Sequence, residues 1–328
     1  MKIPTRFLLI SLTIFASAPL FCAEKAIIGA RFSHKETSEA ISMNSYQLGG
    51  INHRRDLFWP YADEEVTSQD LGVIATLNSG SSREYDFEGQ KLGLSFGRKY
   101  SDKAYFTLQA GFHRVKGTSA REEIVHSSPS LESSLKLKSD KTNHKFSLDY
   151  DLSYEDLQLP AGINQNLRTL GLRYYFSHSF AKNQKIYTSI GQKFYSGSNS
   201  RTQADSSYMI KPSESEWMPW FGFGFEYLST SKNVTGYWTP RNQTSYGPRF
   251  EWSYWQNQYF SSSFGSQVNR YYDSSAKKSG WSHYTALSFY LGDRDQMHGE
   301  IEFVRMDSTQ EGGKWHENDL NLSFNYPF

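Results

Sequence analysis

Cysteine is nearly absent: the one in 328 residues, Cys22, falls at the end of the leading apolar segment. Disulfides and thiolate metal sites are thereby excluded from everything downstream. Neither sign of charge dominates, since 35 Lys and Arg against 34 Asp and Glu leave a net +1. That balance excludes the strongly basic surface of a nucleic-acid binder. Long apolar runs are missing too, for no stretch after residue 25 approaches the ~20 residues of a membrane helix. Local catalytic signatures are also lacking: there is no Gly-x-Ser-x-Gly, no His-Glu-x-x-His and no clustered Asp/His pair. The nine histidines are scattered singly, with His113, His178, His283 and His298 on or beside expected strands. The turn LGDRDQM (291–297) offers two carboxylates, too few for a calcium site. No enzyme, catalytic residue, metal or cofactor is expected.

Aromatic residues are what the chain has in plenty. Tyr, Phe and Trp number 22, 23 and 8, or 16% of the sequence, although its mean hydropathy is that of a hydrophilic protein. Strands with one greasy and one wet face reconcile the two properties. Period-two runs recur: Leu92, Leu94, Phe96; Phe106, Leu108, Ala110, Phe112; Phe146, Leu148, Tyr150, Leu152; Leu170, Leu172, Tyr174, Phe176; and Phe221, Phe223, Phe225, Tyr227. Phe250, Trp252, Tyr254, then Leu287, Phe289, Leu291, then Ile301, Phe303 continue the series to the final segment DLNLSFNYPF (319–328). Aromatics gather near the ends of these segments, and ionisable residues occupy their polar faces, as in a membrane-spanning barrel and unlike a soluble sandwich.

The first residues place Lys2 and Arg6 before an apolar run from Phe7 to Phe15, the pattern of a secretory signal peptide. A signal peptide over 1–23 and a single barrel domain over 24–328 are expected, with cleavage after Ala18 as the other option. The fold class is all-β, an antiparallel up-and-down transmembrane β-barrel in the outer membrane of a Gram-negative-type cell.

Connections set the strand count, because such barrels alternate short periplasmic turns with longer external loops. YSDK (100–103), SDKTN, FAKNQ, PSESE, WQNQ (255–258) and GDRDQ (292–296) read as turns; 230–245, 272–280 and 307–317 read as longer loops. Forward and backward counts agree at sixteen strands if weak strands are admitted near 131–138 and 204–211; without them the count is fourteen. The segment 54–70 is long for a periplasmic turn.

With the aromatic face toward lipid, the charged residues on the other face line the lumen. These are Arg31, Arg173, Lys193 and Arg249, with Asp149, Asp151, Glu226, Glu251, Glu300 and Glu302. A sixteen-stranded cylinder is too wide for side chains to fill, so a channel is expected unless loops plug it. Alternatives are a structural or adhesive barrel whose external loops, notably 117–130 and 197–204, meet a partner, and a lipid-modifying enzyme.

GYWTPRNQTSYGPRFEWSYW (236–255) is the most distinctive local pattern: an aromatic pair, a hydroxyl residue and a proline, then a basic residue and a strand of alternating aromatics. It resembles the Tyr-Tyr/Phe-Ser-Pro element of the sixteen-stranded outer-membrane barrels that export poly-N-acetylglucosamine and cellulose. The matching positions are Tyr237, Trp238, Thr239 and Pro240, within the last third of the chain. Phe324, Tyr326 and Phe328 look like the terminal signal read by the barrel assembly machinery. The resemblance implies a barrel that passes a glycan, with outer-membrane lipid, the assembly machinery and a glycan as partners. Those exporters precede the barrel with periplasmic helical repeats; here that role would fall to a separate repeat protein.

Overall fold

A computed structural model describes residues 26–38, 41–52, 69–82, 86–118, 122–152, 166–215, 217–234, 239–257, 259–274, 277–292, 298–310 and 313–327. Residues 1–25, where a signal peptide is expected, most of 54–70, Tyr237, Trp238 and Phe328 lie outside them. Sixteen strands form one closed antiparallel barrel, each paired with its chain neighbours, β1 with β16. They are β1 (Ala26–Thr37), β2 (Ser42–Asn52), β3 (Gln69–Ser81), β4 (Asp86–Ser101), β5 (Ala104–Thr118), β6 (Glu123–Lys138), β7 (Thr142–Leu152) and β8 (Arg168–Ala181). The second half comprises β9 (Gln184–Tyr195), β10 (Asn199–Ile210), β11 (Trp220–Thr230), β12 (Gln243–Asn257), β13 (Phe260–Asp273), β14 (Lys278–Gly292), β15 (His298–Gln310) and β16 (Gly313–Pro327). The weak strands near 131–138 and 204–211 are the second halves of β6 and β10, so sixteen is the count and fourteen is excluded.

Strand alternation divides the side chains between two environments. One face carries Leu94, Ile190 and Phe223, all more than half exposed on the cylinder's outside. The other faces inward. Lys91 on β4 reaches Asp151 on β7 at 2.8 Å, passing over β5 and β6, a contact available only on the concave side. The closing pair obeys the same division: Ile28 faces Tyr326, Phe32 faces Leu322, and Arg31 faces Ser323 between them.

Expected and observed connections differ mostly at the end opposite the termini. At the end holding both termini, the turns after β4, β6, β8, β12 and β14 are short, as the sequence implies, but the connection containing PSESE runs longer, over 211–219 between β10 and β11. At the opposite end, however, β13 resumes as β14 at Lys278 and β15 as β16 at Gly313, so 272–280 and 307–317 are mostly strand. The segments 117–130 and 197–204 are likewise mostly β6 and β10 rather than free loops. Hydrogen-bonded pairing continues there past the apolar belt, because polar residues such as Ser127, Thr202 and His316 sustain a ladder in water as well as apolar ones do. The stretch 231–242 does form a long connection. In the turn after β4, Lys99 hydrogen-bonds Asp102 at 2.7 Å and holds its carboxyl below the ordinary range.

The largest apolar cluster lies inside the wall at the end opposite the termini. Phe87, Val115 and Leu152 are buried there, with Ile41, Met43 and Ile124 against them. Phe87 packs over Gly80, where any Cβ would collide with its ring. Replacing Phe87 with Ala removes the ring that joins β2, β4 and β5, at a cost of about 3–5 kcal/mol. The temperature at which the folded form unfolds on unboiled electrophoresis should fall clearly below wild type, whereas Phe223→Ala on the lipid side should shift it less.

Candidate functional site

The register brings all ten predicted lumen charges to the inner face. Starting from Arg31, the cross-strand partners Gln47, Thr76, Lys91, His113 and Ser128 lead round the wall, and every predicted charge shares their parity. Asp149 lies directly over Gly171, its partner on β8, where a Cβ would strike the carboxylate.

Two networks organise part of this face. In the first, Lys91 lies between Glu132 at 2.7 Å and Asp151 at 2.8 Å, and His113 Nδ1 is 2.8 Å from the other Asp151 oxygen. That oxygen also accepts the Leu152 backbone N–H. In the second, Glu251 takes Lys185 from β9 at 3.1 Å and Arg249 from its own strand at 2.8 Å. The Lys185 ammonium lies 4.1 Å from the Trp220 ring centre and 4.7 Å from that of Tyr187. These rings hold the ammonium in place beside the carboxylate of Glu251 that pairs with it. Arg173 donates to Tyr175 Oη at 2.9 Å and to Gln203 at 2.7 Å. Glu226 accepts from Ser245, and Glu302 from Asn321.

Charge is unevenly distributed round the ring. Strands β8 and β9 contain no carboxylate and turn Arg173, Lys185 and Lys193 inward. Half-way round, β15 and β16 turn Glu300, Glu302, Glu317 and Asp319 inward, while their Arg305 and Lys314 fall on the outer face. A basic wall thus faces an acidic wall across the lumen.

Lys91, His113, Glu132, Lys185, Glu317 and Asp319 belong to this lining although they were absent from the predicted set. The same alternation identifies them, since Lys91 precedes Leu92 and Glu132 follows Leu131. Of the glycan-exporter pattern, Thr239 donates to Asn233 at 2.9 Å and Pro240 is buried, with its carbonyl accepting the Thr230 N–H. Both sit in the connection before β12. Phe324 and Tyr326 are exposed on the outer face.

No protein-family model matches the chain, and no curated protein matches its sequence. Among solved structures it is similar to a bacterial polysaccharide outer membrane secretin, with a TM-score of 0.67 over 92% of this chain and 98% of that one at 13% identity. OccK11 (OpdR) of Pseudomonas aeruginosa aligns over 93% of this chain and 96% of its own, with a TM-score of 0.48 and 6% identity. At 13% identity the likeness to the secretin is one of fold, and it agrees with the closed sixteen-stranded barrel seen here.

Removing one member of the first network leaves its partners solvated only by the lumen. Asp151→Asn gives up charge-assisted bonds to Lys91 and His113 and should lower stability by about 1–3 kcal/mol. The urea midpoint of unfolding in detergent micelles measures this, and Glu132→Gln, whose side chain is half exposed, should cost less.

Proposed function

We propose that this protein is an outer-membrane channel that passes polar solutes or an exopolysaccharide. The observation that carries the reading is the opposition of Arg173, Lys185 and Lys193 to Glu300, Glu302, Glu317 and Asp319 on the inner face of a closed sixteen-stranded barrel. A field directed across the lumen attracts and orients molecules rich in dipoles and hydroxyls, and it disfavours apolar ones that cannot replace the water they displace. The similarity to a polysaccharide secretin supports a glycan as one cargo. The Thr239–Pro240 segment does so through its likeness to the exporters.

In this reading the end with both termini is periplasmic and the apolar cluster around Phe87 narrows the external side. Phe324, Tyr326 and Phe328 address the chain to the assembly machinery, after cleavage of the segment 1–23. A separate periplasmic repeat protein would guide a polymer to the mouth.

Purified protein in a planar lipid bilayer should give discrete conductance steps, reduced progressively by sugars of increasing size until they no longer enter. Glu300→Lys with Glu302→Lys removes the acidic wall and should shift the reversal potential under a salt gradient toward anion preference. A bilayer that stays silent over many insertions, or steps whose ion preference ignores both substitutions, would refute the proposal.

A further inference from the structure

The outer face carries a polar group that the channel reading does not use. On β14, β13 and β15, above the apolar belt of Phe264, Leu287 and Phe303, stand His283, Ser266, Thr285, Arg305 and Asp307. His283 Nε2 lies 3.1 Å from Ser266 Oγ and 2.9 Å from Thr285 Oγ1. Asp307 is the direct cross-strand partner of His283 on β14 and of His316 on β16. Arg305 fixes the carboxylate in a two-pronged contact, Nε to Oδ2 at 2.8 Å and Nη2 to Oδ1 at 2.9 Å, while its third nitrogen reaches Asn318 at 3.4 Å.

Position makes the group chemically suggestive. Trp281, two residues further out on β14, is exposed and has the Arg270 guanidinium over its ring at 5.6 Å. Exposed tryptophans of membrane barrels gather at headgroup level. A hydroxyl and an imidazole one step nearer the midplane would meet the acyl esters. A hydroxyl, an imidazole within hydrogen-bond reach and a carboxylate beyond it are the parts of a nucleophilic hydrolase, recognised by geometry rather than by chain order. Here they come from three adjacent strands.

We infer that Ser266, His283 and Asp307 form a lipid-facing esterase site acting on acyl esters of the outer leaflet, independent of any conduction through the lumen. Ser266 Oγ adds to the ester carbonyl carbon as its proton passes to His283 Nε2. The carbon–alkoxy bond breaks, and the leaving oxygen takes that proton. Water then adds to the acyl carbon and gives a proton to His283. Collapse returns this proton to Ser266 and releases the fatty acid. Asp307 is a positioning residue opposite His283 across the β14–β15 pair, and Thr285 holds the ring by its second contact.

The full chain, refolded into vesicles of phosphatidylethanolamine and phosphatidylglycerol, tests this in two ways: release of free fatty acid, and covalent labelling by a fluorophosphonate read as a mass increment. Wild type should do both. Ser266→Ala should lose both, and His283→Ala should lower release at least ~100-fold. Asp307→Asn should lower kcat with little change in KM, while Thr285→Val should keep the label and His34→Ala should behave as wild type. Unboiled electrophoresis confirms that each variant is folded. A folded wild-type protein that neither releases fatty acid nor takes the label overturns the inference, as does a label that survives Ser266→Ala. Conductance measured on the same preparations keeps this outcome separate from the channel proposal.

Discussion

Closure of the hydrogen-bond ring between β1 and β16 is the constraint from which the other features follow. In hydrocarbon an unpaired backbone N–H or C=O has no water to meet, so a spanning sheet must have no edge. The first and last strands meet this demand through a continuous ladder from Ile27 opposite Pro327 to Thr37 opposite Glu317. Neither strand is strongly apolar on both faces. Arg31, Lys35, Glu317 and Asp319 are tolerated because the ladder turns them inward, and Lys35 bonds Glu317 at 2.6 Å.

A closed ladder also fixes parity everywhere at once. Cross-strand partners share a face, and a slip of one residue at any pair would send every side chain beyond it to the wrong environment. The consequence would be severe, since a charge on the lipid face near the midplane costs ~2–4 kcal/mol. The register therefore does not require strong local signals in every strand. β10, with Asp205, Ser206 and Ser207 at its centre, is held by partners on both sides that are themselves well specified, such as Phe221, Phe223 and Phe225 on β11.

This explains which features could be read from the sequence. Strand number and inward charges were legible because each depends on a period of two, and that period survives in any barrel of this kind. The strand limits at the end opposite the termini were not. Outside the belt, alternation of apolar and polar residues stops being required, so Thr118, Glu123 and Asn199 read as loop although their backbones pair. Interior contacts were equally hidden. Lys91 and Asp151 are 60 residues apart and on strands that do not touch, and only the tilt and curvature of the wall bring them within 2.8 Å. Ser266 and His283 pose the same difficulty on the outside, where single residues on neighbouring strands meet without a local motif.

Curvature thus converts one alternating pattern into two unlike surfaces. On the concave side, long side chains converge, and lysines reach across two intervening strands to carboxylates, as Lys185 does past the Trp220 ring to Glu251. On the convex side, neighbours diverge, so only residues on the same or directly adjacent strands can interact. A functional group on the inside is accordingly built from distant parts of the chain and sensitive to barrel shape. One on the outside must be compact and confined to neighbouring strands. The Glu251 network has the first character and the Ser266–His283 contact the second, which is why charge in the lumen and polar chemistry on the lipid face can change separately on one scaffold.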